Sequence, residues 1–161
     1  MKGHLVSVER DRNIKRQEDS AMLKGYMGKI LRVDLSERKI GEEELPSEDV
    51  VRKYVGGTGL GLKYLFDEVA PSVGALDPES PLIFMNGPLS GTVWPCSSRY
   101  AIINQCSDYP KSPGNSWGGG FWGAKLRWSG YDGLIVNGKS AEPVYLLLQN
   151  GKPTLRSASH L

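Results

Sequence analysis

Gly28-Lys29-Ile30-Leu31-Arg32-Val33-Asp34-Leu35 alternates in character, with Leu31, Val33 and Leu35 on one side and Arg32 and Asp34 on the other. A period of two is the mark of a strand with one face on a core. Ser36 to Lys39 is a polar turn, and Ile40 with Glu42 to Leu45 returns the chain as the second strand of a hairpin. Ser47 then caps a short helix that starts with Glu48 and Asp49, ends with Arg52 and Lys53, and turns Val50, Val51, Tyr54 and Val55 inward. The glycine segment Gly56 to Gly61 opens a second helix whose predicted core face is Leu62, Leu65, Phe66 and Val69.

Further along, Pro81 to Asn86, Arg99 to Gln105, Asp132 to Asn137 and Val144 to Leu148 are short apolar runs bounded by turn residues and read as strands. A third helix is expected over Phe121 to Ser129, stopped by Gly130, and a last strand near Thr154 to Arg156. Strands outnumber helices and do not alternate strictly with them. The expected fold class is therefore α+β, with mixed or antiparallel sheets and about three short helices. No closing element follows the last strand, so the domain is expected to be incomplete at its C-terminus.

The chain has 161 residues, 39% hydrophobic and 24% charged, the composition of one globular domain with a core of its own. Residues 1–21 hold many charges and no apolar periodicity and read as a disordered leader, with the domain spanning 22–161 and Met22 a candidate translation start. Cys96 and Cys106 are the only cysteines, too few for a disulfide framework or a four-ligand metal cage. A net charge of +2 with interspersed signs gives no reason to expect nucleic acid as a partner. No apolar run approaches the ~20 residues of a membrane span, and no secretory signal is evident. The cytoplasm, where thiols stay reduced, is the expected compartment.

Two glycine segments invite a binding role. Gly56-Gly-Thr-Gly-Leu-Gly61 lacks the glycine that a dinucleotide fingerprint needs at position 62, where Leu62 stands, and it follows a helix instead of a strand. It reads as a helix C-cap running into a tight turn. Ser112 to Gly120, ahead of the third helix, is a loop with three consecutive glycines whose N–H groups could cradle an anion, Asn115 and Ser116 supplying polar contacts. Arg99, where a polar loop enters a strand, could grip a phosphate with two parallel N–H bonds. Trp117 and Trp122 flank the glycines and could wall a flat ring system.

Taken in order, Gly25-Tyr-Met-Gly-Lys-Ile-Leu-Arg-Val-Asp-Leu35, Tyr54-Val-Gly-Gly-Thr-Gly-Leu-Gly61, Gly87-Pro-Leu-Ser-Gly-Thr92, Arg99-Tyr100, Gly118-Gly-Gly-Phe-Trp-Gly123, and Ser129-Gly-Tyr-Asp132 through Gly138-Lys139 resemble the N-terminal domain of the tungsten-containing aldehyde ferredoxin oxidoreductase family. The resemblance runs from about Gly25 to Leu161. It implies a base for a tungsten bis-pterin cofactor (tungstopterin), whose dithiolene sulfurs hold the metal with no side chain of this region as ligand. It further implies oxidation of small aldehydes to carboxylic acids and electron transfer to ferredoxin. The 4Fe-4S cluster of the family and its acid–base residues belong to C-terminal domains beyond this region. Arg99 matches an arginine that approaches the pterin phosphates. Asn115, Ser116, Trp117, Gly118 and Gly119 correspond to the segment whose asparagine backbone helps hold a magnesium ion bridging the phosphates, and any of residues 115–117 could take that asparagine's place. Position 58 is threonine where many members carry arginine.

Three functions fit these residues. One is the cofactor-binding part of a tungsten or molybdenum aldehyde oxidoreductase, inactive by itself and open to forming a homodimer. Another is the corresponding part of a benzoyl-CoA reductase-type member of the family. The last is a scaffold domain that has kept the fold without the cofactor.

Overall fold

The computed structural model describes residues 23–109 and 112–160. The expected leader, residues 1–21, lies outside them. Its elements are β1 (Lys29–Asp34), β2 (Lys39–Glu44), α1 (Glu48–Tyr54), α2 (Gly57–Glu68), β3 (Leu82–Asn86), β4 (Tyr100–Gln105), β5 (Pro113–Gly118), α3 (Trp122–Trp128), β6 (Gly133–Asn137), β7 (Val144–Gln149) and β8 (Lys152–Ser157). Six strands form one sheet in the order β2-β1-β6-β3-β4-β5, and β7 and β8 pair as a separate hairpin. Only β1 and β6 run parallel; every other pairing is antiparallel. The fold is α+β with a mixed sheet and three helices, as the patterning implies.

The sheet is covered on both faces. On one, Leu60, Tyr64 and Leu65 of α2 pack on Ile30, Ile83, Met85, Ala101, Ile103 and Ile135. On the other, Leu126 of α3 and Tyr131 join Leu31, Val33 and Leu134, with Leu146, Leu148 and Leu155 of the hairpin packed alongside. β1 is thus buried on both faces, where one solvated face was expected. Ile30 is fully buried beside α2, and Arg32 on that same face is neutralised by Glu43 and Glu68 and lies over the Tyr64 ring at 5.3 Å. Its charges survive this burial because they are paired.

Helix phasing agrees with expectation in part: Val51 and Leu65 are buried, and Val50, Tyr54, Leu62 and Val69 pack against the core. Phe66 and Val55 are exposed, while Leu60 and Tyr64 face the sheet. Gly61 explains the shift: a Cβ there would lie 2.5 Å from Ile103 Cδ1, so the bare backbone lets α2 lie close on β4. Hydrophobicity cannot register a sheet-facing glycine. Ser47 is the N-cap residue of α1 as expected, but its side chain makes no capping bond.

The third difference lies at the sheet edge. Ser112 to Gly120, expected as a loop, is mostly strand, β5, paired with β4 from Tyr100↔Gly118 to Gln105↔Pro113. Cross-strand pairing outweighs the weak strand preference of Pro, Gly and Asn, and Pro113 stands at the first residue of an edge strand, where its missing N–H does no harm.

Candidate functional site

Register brings three strand ends to one rim. Asn86 pairs with Tyr100, and Tyr100 with Gly118, so the exit of β3, the entry of β4 and the exit of β5 lie side by side. The start of α2 joins them because Gly56 has no side chain: a Cβ there would lie 2.7 Å from the Asn86 carbonyl oxygen and 3.2 Å from Gly87 Cα. The glycine run therefore serves close packing of a helix on a sheet. Its turn is also real, with Val55 at φ 62° and Gly57 at φ 52°, both in the left-handed region.

Between these ends lies an open cleft of about 440 Å³, lined by Val55 to Thr58, Gly87, Pro88, Arg99, Tyr100, Ala101 and Trp117. Its only formal charge is Arg99, which is exposed and makes no salt bridge among the described residues. α2 adds the favourable end of a 12-residue helix, with no acidic residue in its first turn and no side chain capping it. Unsatisfied N–H groups at a helix start together with a free guanidinium make an environment for an anion. The flat wall is the exposed indole of Trp117.

Of the residues singled out in the sequence, Arg99 and Trp117 line the cleft together. Strand alternation sends Asn115 and Trp117 to the α2 side of β5 and Ser116 to the opposite side. Asn115 and Trp117 both meet Thr58: the indole Nε1–H of Trp117 donates to the threonine hydroxyl at 3.0 Å, and that hydroxyl donates to Asn115 Oδ1 at 3.2 Å. Gly118 is held by packing, because a Cβ there would run into the Tyr100 ring, while Gly119 has open space around it. Trp122 is no cleft wall. It stacks at 4.6 Å on Tyr100 and 5.0 Å on Phe84, on the opposite face of the sheet. The helix start that faces Arg99 is consequently that of α2, not that of α3 as the three-glycine segment suggested.

Sequence reasoning missed Gly57, Thr58, Gly87 and Pro88 as cleft residues. A glycine-rich helix start is a signal for an anion site, but its nearness to Arg99 depends on the strand order β3-β4-β5.

Behind the cleft, a buried ion pair ties its wall to the rest of the domain. Arg127 of α3 donates to the carbonyls of Gly87 and Gly25 and lies 3.5 Å from Asp132, whose carboxylate accepts the N–H groups of Met27 and Gly28. Burial pushes the Asp132 pKa up, against the lowering pull of these backbone bonds and of Arg127. The network positions the Gly87 turn, which is one side of the cleft.

Comparison with known proteins agrees with this architecture. The family model described as aldehyde ferredoxin oxidoreductase, N-terminal domain, matches residues 30–161. The chain is 39% identical over 140 residues to the tungsten-containing aldehyde ferredoxin oxidoreductase of Pyrococcus horikoshii, covering 84% of this chain and 22% of that protein. It is 38% identical over 139 residues to the aliphatic sulfonate oxidoreductase, WOR-like subunit, of Pyrococcus furiosus, covering 83% of this chain and 21% of that one. Among solved structures, the active-site complex BamBC of benzoyl-coenzyme A reductase with 1,5-dienoyl-CoA contains a chain that superposes with a TM-score of 0.81 at 36% identity, over 85% of this chain and 21% of that chain. The chain spans about a fifth of the length of the relatives it matches. By sequence match and by fold, it belongs to the aldehyde ferredoxin oxidoreductase family, as a form of that family's N-terminal domain.

Proposed function

We propose that this chain forms one side of the seat for a tungsten or molybdenum bis-pterin cofactor, with the Arg99 cleft taking a phosphate end, in an oxidoreductase that converts aldehydes to carboxylic acids and passes electrons to ferredoxin. The observation that supports it most is the convergence of an unpaired guanidinium, the uncapped start of α2 and the Trp117 indole in one cleft free of carboxylates. That donor set fits a phosphate ester carried on a flat ring. When bound, the cofactor would supply the metal and its dithiolene sulfurs as the redox centre. The chain's own task is to grip and orient: Arg99 fixes the phosphate, the amides of Gly57 and Thr58 add to the positive field, and Trp117 flanks the ring.

Backbone carbonyls near the end of β5 would hold a magnesium ion that accompanies the cofactor's phosphates, next to Asn115, whose Oδ1 accepts from Thr58. Among the described residues no cluster of three or more His, Cys, Asp or Glu forms a metal site. The similarity to a benzoyl-coenzyme A reductase chain favours a second reading, in which the same seat serves reduction of an aromatic ring.

Titration with inorganic pyrophosphate, followed by amide and indole NMR, tests the seat. The expected shifts fall on Gly57, Thr58, Arg99 and Trp117, and Arg99→Met weakens binding by about 10-fold or more, the size of a charge-assisted hydrogen bond. Shifts scattered elsewhere, or an unchanged affinity in Arg99→Met, would overturn the proposal.

A further inference from the structure

The hydrogen bonds around Thr58 have a fixed direction. An indole N–H can only donate, and a threonine hydroxyl has one proton. Having accepted from Trp117 at 3.0 Å, the Thr58 hydroxyl is left with that one proton for Asn115 at 3.2 Å. In this structure the amide presents its oxygen to that proton. Both Nδ2 protons of Asn115 are thereby left unbonded among the described residues.

This chain of bonds is also the polar tie between α2 and the edge of the sheet. β5 is paired with β4 along one side only, and its residues are poor strand formers. Trp117 is 65% exposed, so packing does little to hold its ring. Its bonded N–H is then the main restraint on the angle of the indole at the cleft.

We propose that Thr58 is a positioning residue of the cleft. Its hydroxyl sets the Trp117 wall by accepting the indole N–H, and its proton holds the Asn115 amide with Oδ1 turned toward α2. The inference rests on reading the cleft as an anion seat, but its primary test does not use a ligand.

Thr58→Val removes the hydroxyl and keeps the branched shape, Thr58→Ser keeps the hydroxyl, and Asn115→Asp keeps an acceptor while removing the amide protons. In the ligand-free protein, Thr58→Val should shift the Trp117 indole resonance and speed its hydrogen exchange roughly fivefold, the weight of one ordinary hydrogen bond. Thr58→Ser and Asn115→Asp should leave both near wild type. An unmoved indole in Thr58→Val, or a loss in Thr58→Ser, would overturn the positioning role. A loss in Asn115→Asp would overturn the assigned direction. Thermal melting of each variant separates these results from unfolding. Pyrophosphate titration then reports on the seat: Thr58→Val should bind severalfold more weakly, and an unchanged affinity would overturn its bearing on the cleft. A wild-type chain that binds no pyrophosphate would sink the seat while leaving the indole result standing.

Discussion

Gly56→Ala should destabilise the domain by about 2 kcal/mol, because the new methyl would meet backbone on both sides. The ideal Cβ lies 2.7 Å from the Asn86 carbonyl oxygen and 3.2 Å from Gly87 Cα. Neither atom can rotate away as a side-chain end could, so α2 must lift from the rim or the Gly87 turn must move. Overpacking of this kind costs ~1–3 kcal/mol, which for a domain of this size lowers the melting temperature by roughly 4–8 °C at the middle of the range. Gly41→Ala and Gly119→Ala are the controls, since an added Cβ meets nothing within 4 Å at either site. They should change stability by less than ~0.5 kcal/mol. Urea unfolding followed by tryptophan fluorescence compares the three variants. If Gly56→Ala is as stable as Gly41→Ala, the argument that this glycine exists to let α2 approach the strand ends is wrong.

Asp132 gives a pH dependence of definite sign. Burial raises its folded pKa, so its contribution to stability is fully present below the unfolded value and is lost as pH rises through the folded one. The urea midpoint of the wild type minus that of Asp132→Asn should therefore grow as pH falls from neutral toward the ordinary aspartate range; a shrinking difference would contradict the assignment. Leu89, Val93, Trp94, Phe121 and Trp128 are all more than half exposed, and this apolar surface should bind a hydrophobic dye at neutral pH. Trp94→Ser combined with Phe121→Ser should cut the dye signal without lowering the melting temperature, and an unchanged signal would place the dye elsewhere.

Much of this architecture is legible in local pattern, and the remainder depends on contacts between distant segments. The hairpin of β1 and β2, the strands β3, β4, β6 and β7, and α3 each carry an apolar run with turn residues at its ends. β5 has no such mark: Pro113-Gly-Asn-Ser-Trp-Gly118 becomes a strand because β4 offers it a ladder. Of the residues expected on the inward face of α2, Leu62, Leu65 and Val69 pack on the core and Phe66 does not, because Leu60, Gly61 and Tyr64 lie nearest the sheet. Arg99 stands out locally as a charge at a strand entry. Its neighbours Gly57 and Thr58 do not, since more than 40 residues of chain separate them from it and only the order β3-β4-β5 and the contact at Gly56 bring them together.

The central claim is that Arg99 and the start of α2 hold a phosphate attached to a pterin. Equilibrium binding of a fluorescent pterin bearing a phosphate ester, set against the same pterin without it, tests this most directly in the wild type and in Arg99→Met. The account predicts that the wild type prefers the phosphorylated pterin by about 10-fold or more and that Arg99→Met loses most of this preference. Equal affinity of the wild type for the two pterins, or a preference that survives in Arg99→Met, would contradict it.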